Sequence, residues 1–333
     1  MKKQPKYAVL GGGSWGTALV KMLCENLEEV HWYMRNTEAI EYILEHGHNP
    51  NYLSSVSFDT SKLRLTNHMD QAVSAADILI FAIPSAFLEN ELKNLTVSLK
   101  DKTIFSAIKG IVPESGKIVG EHFHDLYEIP FKQIGVITGP CHAEEVALER
   151  LSYLTIACAD KSRAKKVAAA LSSAYIKTKV SKDIIGTEYA AMLKNIYAIA
   201  AGIAHGLGYG DNFQSVLMSN AIREMKRYTK RLYNIDRNIN HSAYLGDLLV
   251  TGYSTFSRNR MFGNMIGKGY TVKSAMMEMN MVAEGYYAVE SAYKIKEGFE
   301  KEVKTPIIDA VYRVLYKNRN PKKIFAELAD QIS

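Results

Sequence analysis

The sequence predicts an α/β protein in two parts, an N-terminal doubly wound, mainly parallel sheet followed by an all-α C-terminal domain. Three observations carry this. From Tyr7 to Val180, strand-like apolar runs alternate with helix-like segments, as crossover helices require of a parallel sheet. From Asp183 onward no convincing strand appears, only long apolar-periodic segments. And 333 residues exceed the roughly 100–200 residues of one domain. The boundary falls between 182 and 183, dividing 1–182 from 183–333.

The first strand, Tyr7–Leu10, stops at Gly11-Gly12-Gly13-Ser14-Trp15-Gly16, and an apolar helix-like run, Thr17–Leu23, follows at once. Gly11, Gly13 and Gly16 have the G-x-G-x-x-G spacing: a tight exit from the strand, close backbone approach to a pyrophosphate, and close helix–strand packing. The phosphates then sit at a helix N-terminus, where unpaired N–H groups and the dipole favour anions. Strand, turn and helix in this order at the chain start predict a Rossmann-type dinucleotide-binding domain.

Glu29–Met34 reads as the second strand. Where a NAD-preferring fold places an acid on the ribose, about 20 residues past the turn, the sequence has Arg35. This arginine suits the 2′-phosphate of NADP or stacking on adenine, and a solvated strand-end charge is the plainer reading. Thr37–His46 follows as a helix, then Leu63–Thr66 as a weak strand and Ile78–Ile83 as a strong one, continuously apolar as in a doubly covered sheet. Ala86–Leu95 is a helix, Thr103–Ala107 a strand ending at Lys109-Gly110. Ile134–Thr138 runs into Gly139-Pro140-Cys141-His142-Ala143 and a helix through Leu148. Leu154–Ala157 and Lys177–Val180 are strands separated by an alanine-rich helix, Ala164–Leu171. The helical domain comprises Ile184–Ala204, Gln214–Tyr228, Ser274–Tyr293, Thr305–Tyr316 and Pro321–Ile332.

Composition narrows the class. Hydrophobic residues are 47% and charged residues 23%, an ordinary globular balance. The formal charge of +6, from 41 basic and 35 acidic residues, is dispersed rather than blocked as in a nucleic-acid binder. No run approaches the roughly 18 apolar residues of a membrane helix, and the run after Met1-Lys2-Lys3 is too short for a signal peptide. Cys24, Cys141 and Cys158 form neither a disulfide framework nor a zinc pattern and point to a reducing cytoplasm. His46 and His48 make an H-x-H pair with no third ligand near it, so no metal is expected.

Chemistry concentrates in the second half. Tyr189–Ala204 is apolar on nearly every face, the mark of a buried helix, yet it contains Lys194 and Asn195. A buried ammonium must snorkel out, find a partner or lose proton affinity, and a lysine with a lowered pKa serves as general acid or base. Asp247 is another lone charge among apolar neighbours, suited to orient Lys194 or to cap a helix. Thr255–Arg260 offers a hydroxyl, two guanidiniums and an amide, a plausible phosphate clamp. Cys141 beside His142 invites a thiol-nucleophile reading, although nothing suggests an acyl substrate. Gly267-Lys268-Gly269 suits a lid or a plain turn.

Together the motifs resemble the bacterial NAD(P)-dependent sn-glycerol-3-phosphate dehydrogenase family over almost the whole chain. The resemblance rests on GGGSWGTAL at Gly11–Leu19, the proline–serine end of Ile78–Ser85, AIKGI at Ala107–Ile111, TGPCHAEEVA at Thr138–Ala147, LKNIYAIAAG at Leu193–Gly202, GDL at Gly246–Leu248, SRNRMFG at Ser257–Gly263 and VAEG at Val282–Gly285. It implies cofactor contacts from Ser14, Trp15, Arg35, Ala143, Val282 and Glu284, with Lys109 shared between cofactor and substrate. Gly139 and Cys141 would line the substrate, the family often carrying Ser or Thr where this chain has Cys141. Lys194 resembles the catalytic lysine, with Asn195, Asp247, Ser257, Arg258 and Asn259 as companions and Arg258 also near the cofactor.

The implied reaction interconverts sn-glycerol 3-phosphate and dihydroxyacetone phosphate by direct hydride transfer with NAD(P)(H), NADPH somewhat favoured for want of the acid at Arg35. The resemblance also implies a cytoplasmic homodimer supplying glycerol 3-phosphate for phospholipid synthesis. Two alternatives compete: another two-domain 3-hydroxyacid or ketopantoate-type reductase, which has no need of the SRNR segment, and a non-catalytic NAD(P) sensor, which gives no reason for Lys194.

Overall fold

The computed structural model describes residues 4–279 and 283–333. The chain divides into two compact units, one comprising residues up to Ile108 with Lys117–Ile184, the other Lys109–Gly116 with Ile185–Ser333.

The strands are β1 (Tyr7–Leu10), β2 (Val30–Tyr33), β3 (Leu63–Thr66), β4 (Ile78–Phe81), β5 (Thr103–Ser106), the two-residue β6 (Ile111–Val112) and β7 (Lys117–Ile118), β8 (Ile134–Thr138), β9 (Ser152–Cys158) and β10 (Ile176–Ser181). Eight of them form one sheet in the order β10-β9-β8-β5-β4-β1-β2-β3. Every pairing is parallel except β8 with β9, so the sheet is mainly parallel. The order reverses between β1 and β4, and in open α/β sheets the crevice beyond the carboxyl ends at such a reversal receives the ligand. β1, β4 and β5 are buried at every position, because helices cover both faces. The edge strand β10 instead exposes Lys177 and Lys179, charges that discourage edge-to-edge pairing.

The helices of this unit are α1 (Ser14–Cys24), α2 (Thr37–His46), α3 (Met69–Ala75), α4 (Ser85–Leu92), α5 (Val119–Tyr127), the short α6 (Ala143–Ala147) and α7 (Lys161–Leu171). α1 begins three residues before the expected Thr17, so Gly13 is its N-cap. α3 and α5 are additions to the sequence reading. His46 and His48 pack round the Tyr42 ring, with centroids 4.1 and 5.2 Å away.

The second unit holds α8 (Ile184–Gly206), α9 (Asp211–Leu232), a π-helical turn (Ser242–Gly246), α10 (Asp247–Tyr253), α11 (Arg258–Gly267), α12 (Val272–Glu278), α13 (Glu284–Glu297), α14 (Pro306–Leu315) and α15 (Pro321–Ala329). No strand occurs among its described residues after Ile185. Every residue from 186 to 204 is buried, which makes α8 the unit's central helix. The expected single segment Ser274–Tyr293 is two helices: Met279 and Ala283 both have extended backbone. Gly267 closes α11, Lys268 is its C-cap, and Gly269 adopts φ +98°, a turn towards α12.

α11 lies against α8 through two glycine pairs. A β-carbon on Gly202 would stand 2.1 Å from Arg260 O, one on Gly263 2.1 Å from Ile199 O, and those on Gly206 and Gly267 2.4 and 2.3 Å from Asn264 O and Ile203 O. Glycines four apart on both helices let the backbones touch.

Candidate functional site

In the sheet unit, each glycine of the fingerprint has its own reason. Gly11 adopts φ +134°, and a β-carbon there would meet Ala82 O at 2.6 Å. One on Gly16 would meet Gly11 O at 2.1 Å, so this glycine lets α1 close onto the turn. A β-carbon on Gly13 would meet nothing within 4 Å. The protein leaves that space unfilled, as close approach by a pyrophosphate requires.

Three successive carbonyls of the turn are fastened into the protein. Trp32 Nε1 donates to Gly11 O (2.9 Å), Asn49 Nδ2 to Gly12 O (3.2 Å) and Thr17 Oγ1 to Gly13 O (3.0 Å). The peptides are trans, so C=O of one residue and N–H of the next point oppositely. Holding the carbonyls of 11, 12 and 13 inward therefore turns the N–H groups of Gly12, Gly13 and Ser14 outward, the arrangement of an anion nest. Asn49 is 1% exposed, and its Oδ1 accepts from Asn51 N and Tyr52 N at 3.0 and 3.2 Å. In the sequence it reads only as part of a helix-breaking stretch.

Ser14 and Trp15 form the first turn of α1, Ser14 buried and Trp15 half-buried. Arg35 extends from the end of β2, its Nη1 3.1 Å from Glu91 Oε1 of α4, and Tyr33 OH donates to the other Glu91 oxygen at 2.7 Å. Gly139 closes β8 at φ +121°, where a β-carbon would lie 2.7 Å from Tyr153 O. Buried Cys141 follows it, and buried Ala143 opens α6. Val282 lies outside the described residues.

In the helical unit, Lys194 of α8 and Asp247 of α10 are hydrogen-bonded, at 3% and 1% exposure. Asp247 follows immediately on the π-helical turn, a local widening frequent at functional sites, and Thr251 Oγ1 donates to its carbonyl at 2.6 Å. Burial pushes the Lys194 amine down to about 7; the Asp247 carboxylate opposes this and the Lys109 ammonium adds to it. Asn195 Nδ2 donates to Lys109 O at 3.1 Å, which fixes the lysine segment relative to α8.

The SRNR segment is a helix start. Ser257 Oγ accepts from Arg260 N at 3.3 Å as the N-cap of α11, Arg258 is exposed in the first turn, and Asn259 is buried. Asn259 Oδ1 accepts from Gly285 N at 2.9 Å, serving as a cap for α13, whose own N-cap Ala283 has no suitable side chain. That is why α13 starts afresh inside a continuous apolar pattern. Beside it, burial raises the Glu284 carboxyl, and Arg258, Lys109 and Lys194 pull it back down. Lys109, Lys194, Asp247, Arg258 and Glu284 thus form one charge cluster, with Asn195 and Asn259 bracing it. Among the described residues no group of three or more His, Cys, Asp or Glu is placed to hold a metal. No described helix is long and apolar enough to cross a membrane.

Known proteins resemble this chain over nearly its whole length. Residues 6–164 match the family described as NAD-dependent glycerol-3-phosphate dehydrogenase N-terminus, and residues 183–326 match its C-terminus. The chain is 37% identical over 317 residues to glycerol-3-phosphate dehydrogenase [NAD(P)+] of an Exiguobacterium species, spanning 94% of this chain and 92% of the relative. It is 34% identical to the enzyme of the same description from Staphylococcus carnosus, across 94% of each chain. A crystal structure of glycerol-3-phosphate dehydrogenase from Coxiella burnetii superimposes with a TM-score of 0.88 at 26% identity, covering 98% of this chain and 99% of that one.

Proposed function

This chain belongs to the NAD-dependent glycerol-3-phosphate dehydrogenase family, and from that premise we propose how its residues carry the reaction. It is an oxidoreductase that interconverts sn-glycerol 3-phosphate and dihydroxyacetone phosphate with NAD(P)(H). The observation that carries the residue assignment is the Lys194–Asp247 pair, a titratable amine buried in an apolar helix and brought to about 7.

The glycine turn fits a dinucleotide: outward N–H groups at Gly12, Gly13 and Ser14, and open space over Gly13. Gly11, Gly13, Ser14, Trp15, Gly16, Arg35 and Ala143 would hold it, with Lys109, Arg258 and Glu284 as further contacts. Hydride donation or acceptance at the nicotinamide is what a bound dinucleotide supplies.

Lys194 handles the proton. In reduction, its ammonium Nζ gives a proton to the carbonyl oxygen at C2 of dihydroxyacetone phosphate as that carbon gains the hydride. In oxidation, the neutral amine takes the hydroxyl proton back. Proton affinity near neutrality lets one group serve both directions. Asp247 keeps the amine placed and supports its charged form.

Lys109, Arg258 and Asn259 hold the phosphate end, and Asn195 and Ser257 steady the elements that present them. Gly139 and Cys141 line the substrate without a hydroxyl. Arg35 supports a modest preference for NADPH, since guanidinium matches phosphate bidentately. The product suits the supply of glycerol 3-phosphate to phospholipid synthesis.

The test is NADH and NADPH oxidation by the purified protein with and without dihydroxyacetone phosphate. Turnover dependent on that substrate is expected; its absence with both cofactors overturns the reading.

A further inference from the structure

We propose that Glu91 sets the balance between NADPH and NADH by competing with the 2′-phosphate for Arg35. The proposal rests on the reading above that Arg35 meets the adenosine ribose.

The fingerprint expects an acid at the end of β2, and the strand itself supplies Arg35 instead. The structure brings a carboxylate to that place from another element. Glu91 of α4 is bonded to Tyr33, the last residue of β2, and to Arg35 two residues beyond. Its side chain is only 8% exposed, whereas that of Arg35 is 69% exposed. The carboxylate is therefore held in place by the Tyr33 hydroxyl, and the guanidinium reaches out from it.

Two consequences follow for a 2′-phosphate. One guanidinium nitrogen is already committed to Glu91, which disfavours bidentate capture of the phosphate. In addition, a phosphate of about −1.5 to −2 charge arriving at Arg35 meets a fixed carboxylate, and like charges at short range repel. The 2′-hydroxyl of NADH suffers neither effect. Arg35 attracts NADPH, Glu91 limits the attraction, and both cofactors remain usable.

The experiment compares kcat/KM for NADPH and NADH, with dihydroxyacetone phosphate, in the parent protein, Glu91→Gln, Arg35→Ala and the double variant. Glu91→Gln is expected to raise the NADPH-to-NADH ratio about tenfold, through KM for NADPH rather than kcat. Arg35→Ala lowers the ratio, and adding Glu91→Gln to it leaves the ratio where Arg35→Ala put it.

Competitive inhibition supplies a readout independent of turnover: adenosine 2′,5′-bisphosphate gains potency in Glu91→Gln, and AMP does not. Should Glu91→Gln not fold, Glu91→Asp withdraws the carboxylate by one methylene and is expected to raise the ratio by a smaller factor. An unchanged ratio in a folded variant, or an equal rise in the Arg35→Ala background, overturns the proposal. A parent that turns over with neither cofactor instead overturns the functional reading beneath it.

Discussion

Two of the buried charged centres in the helical unit are used differently. On α8 and α10, Lys194 meets Asp247 through side chains alone. On α9, Glu224 is 0% exposed, and its two oxygens accept from Ile307 N at 2.9 Å and Ile308 N at 3.0 Å. Those donors belong to the first turn of α14, which opens with Pro306 and whose N-cap Thr305 makes no side-chain cap bond. Glu224 therefore caps a helix from outside it, with both oxygens committed to backbone. At Lys194 burial acts on a proton that can leave; at Glu224 it acts on a carboxyl locked to a helix end. In this unit the buried charge proposed for chemistry is bonded to another ionisable side chain, and the one that serves architecture holds the backbone amides of a helix start.

The largest effect expected from breaking this contrast is on turnover. Lys194→Met removes the proton donor and should lower kcat about 10²- to 10⁴-fold, the usual worth of general acid–base catalysis. The variant also leaves the Asp247 carboxylate buried without its ammonium, which costs stability, so kcat is read at a temperature where the variant is folded. A variant turning over at close to the parental rate would refute the assignment.

Glu224→Ala should cost stability without the loss of turnover. It strands two buried N–H donors at about 1–3 kcal/mol each, so thermal unfolding shifts down by several degrees while kcat holds. The pH dependence has a definite sign. Burial pushes the Glu224 carboxyl from 4.5 up to about 8, against the pull of the two amides. A carboxyl whose affinity is raised on folding contributes its full stability below the unfolded value, and that contribution disappears as pH rises through the folded one. The parent should therefore lose stability relative to Glu224→Gln between about pH 4.5 and 8. Melting curves that run parallel across this window would contradict it.

What the sequence disclosed follows the same division between local and distant partners. The glycine turn was legible because its glycines fall within six residues of one another and Gly16 answers a contact with Gly11 itself, and Lys194 because one charge interrupts a long apolar run. Glu91 was not: it lies 56 residues from the arginine it holds, and nothing in the run Ser85–Leu92 signals that role. Asn49 looks like any breaker before a proline. The glycines of α8 and α11 gain meaning only as facing pairs, since either spacing alone fits an ordinary helix. Periodicity carried Ser274–Tyr293 through as one helix because the cap that restarts it, Asn259, comes from α11. Lys109, expected at the edge of the first domain, belongs with the helical unit for a similar reason, its carbonyl being held by Asn195.

The finest test concerns the proton affinity at Lys194 rather than its presence. Reduction needs the ammonium, so kcat/KM in that direction should fall as pH rises through about 7; oxidation needs the amine and should rise through the same midpoint. Asp247 favours the charged form and Lys109 disfavours it. Asp247→Asn should therefore move both limbs to lower pH: oxidation gains relative activity at acidic pH and reduction loses it at neutral pH. Lys109→Met should move the midpoint upward, even as it weakens substrate binding. If Asp247 only propped up α10, its loss would lower both plateaux and leave the midpoint where it was, so opposite displacements in the two variants are what an electrostatic role demands.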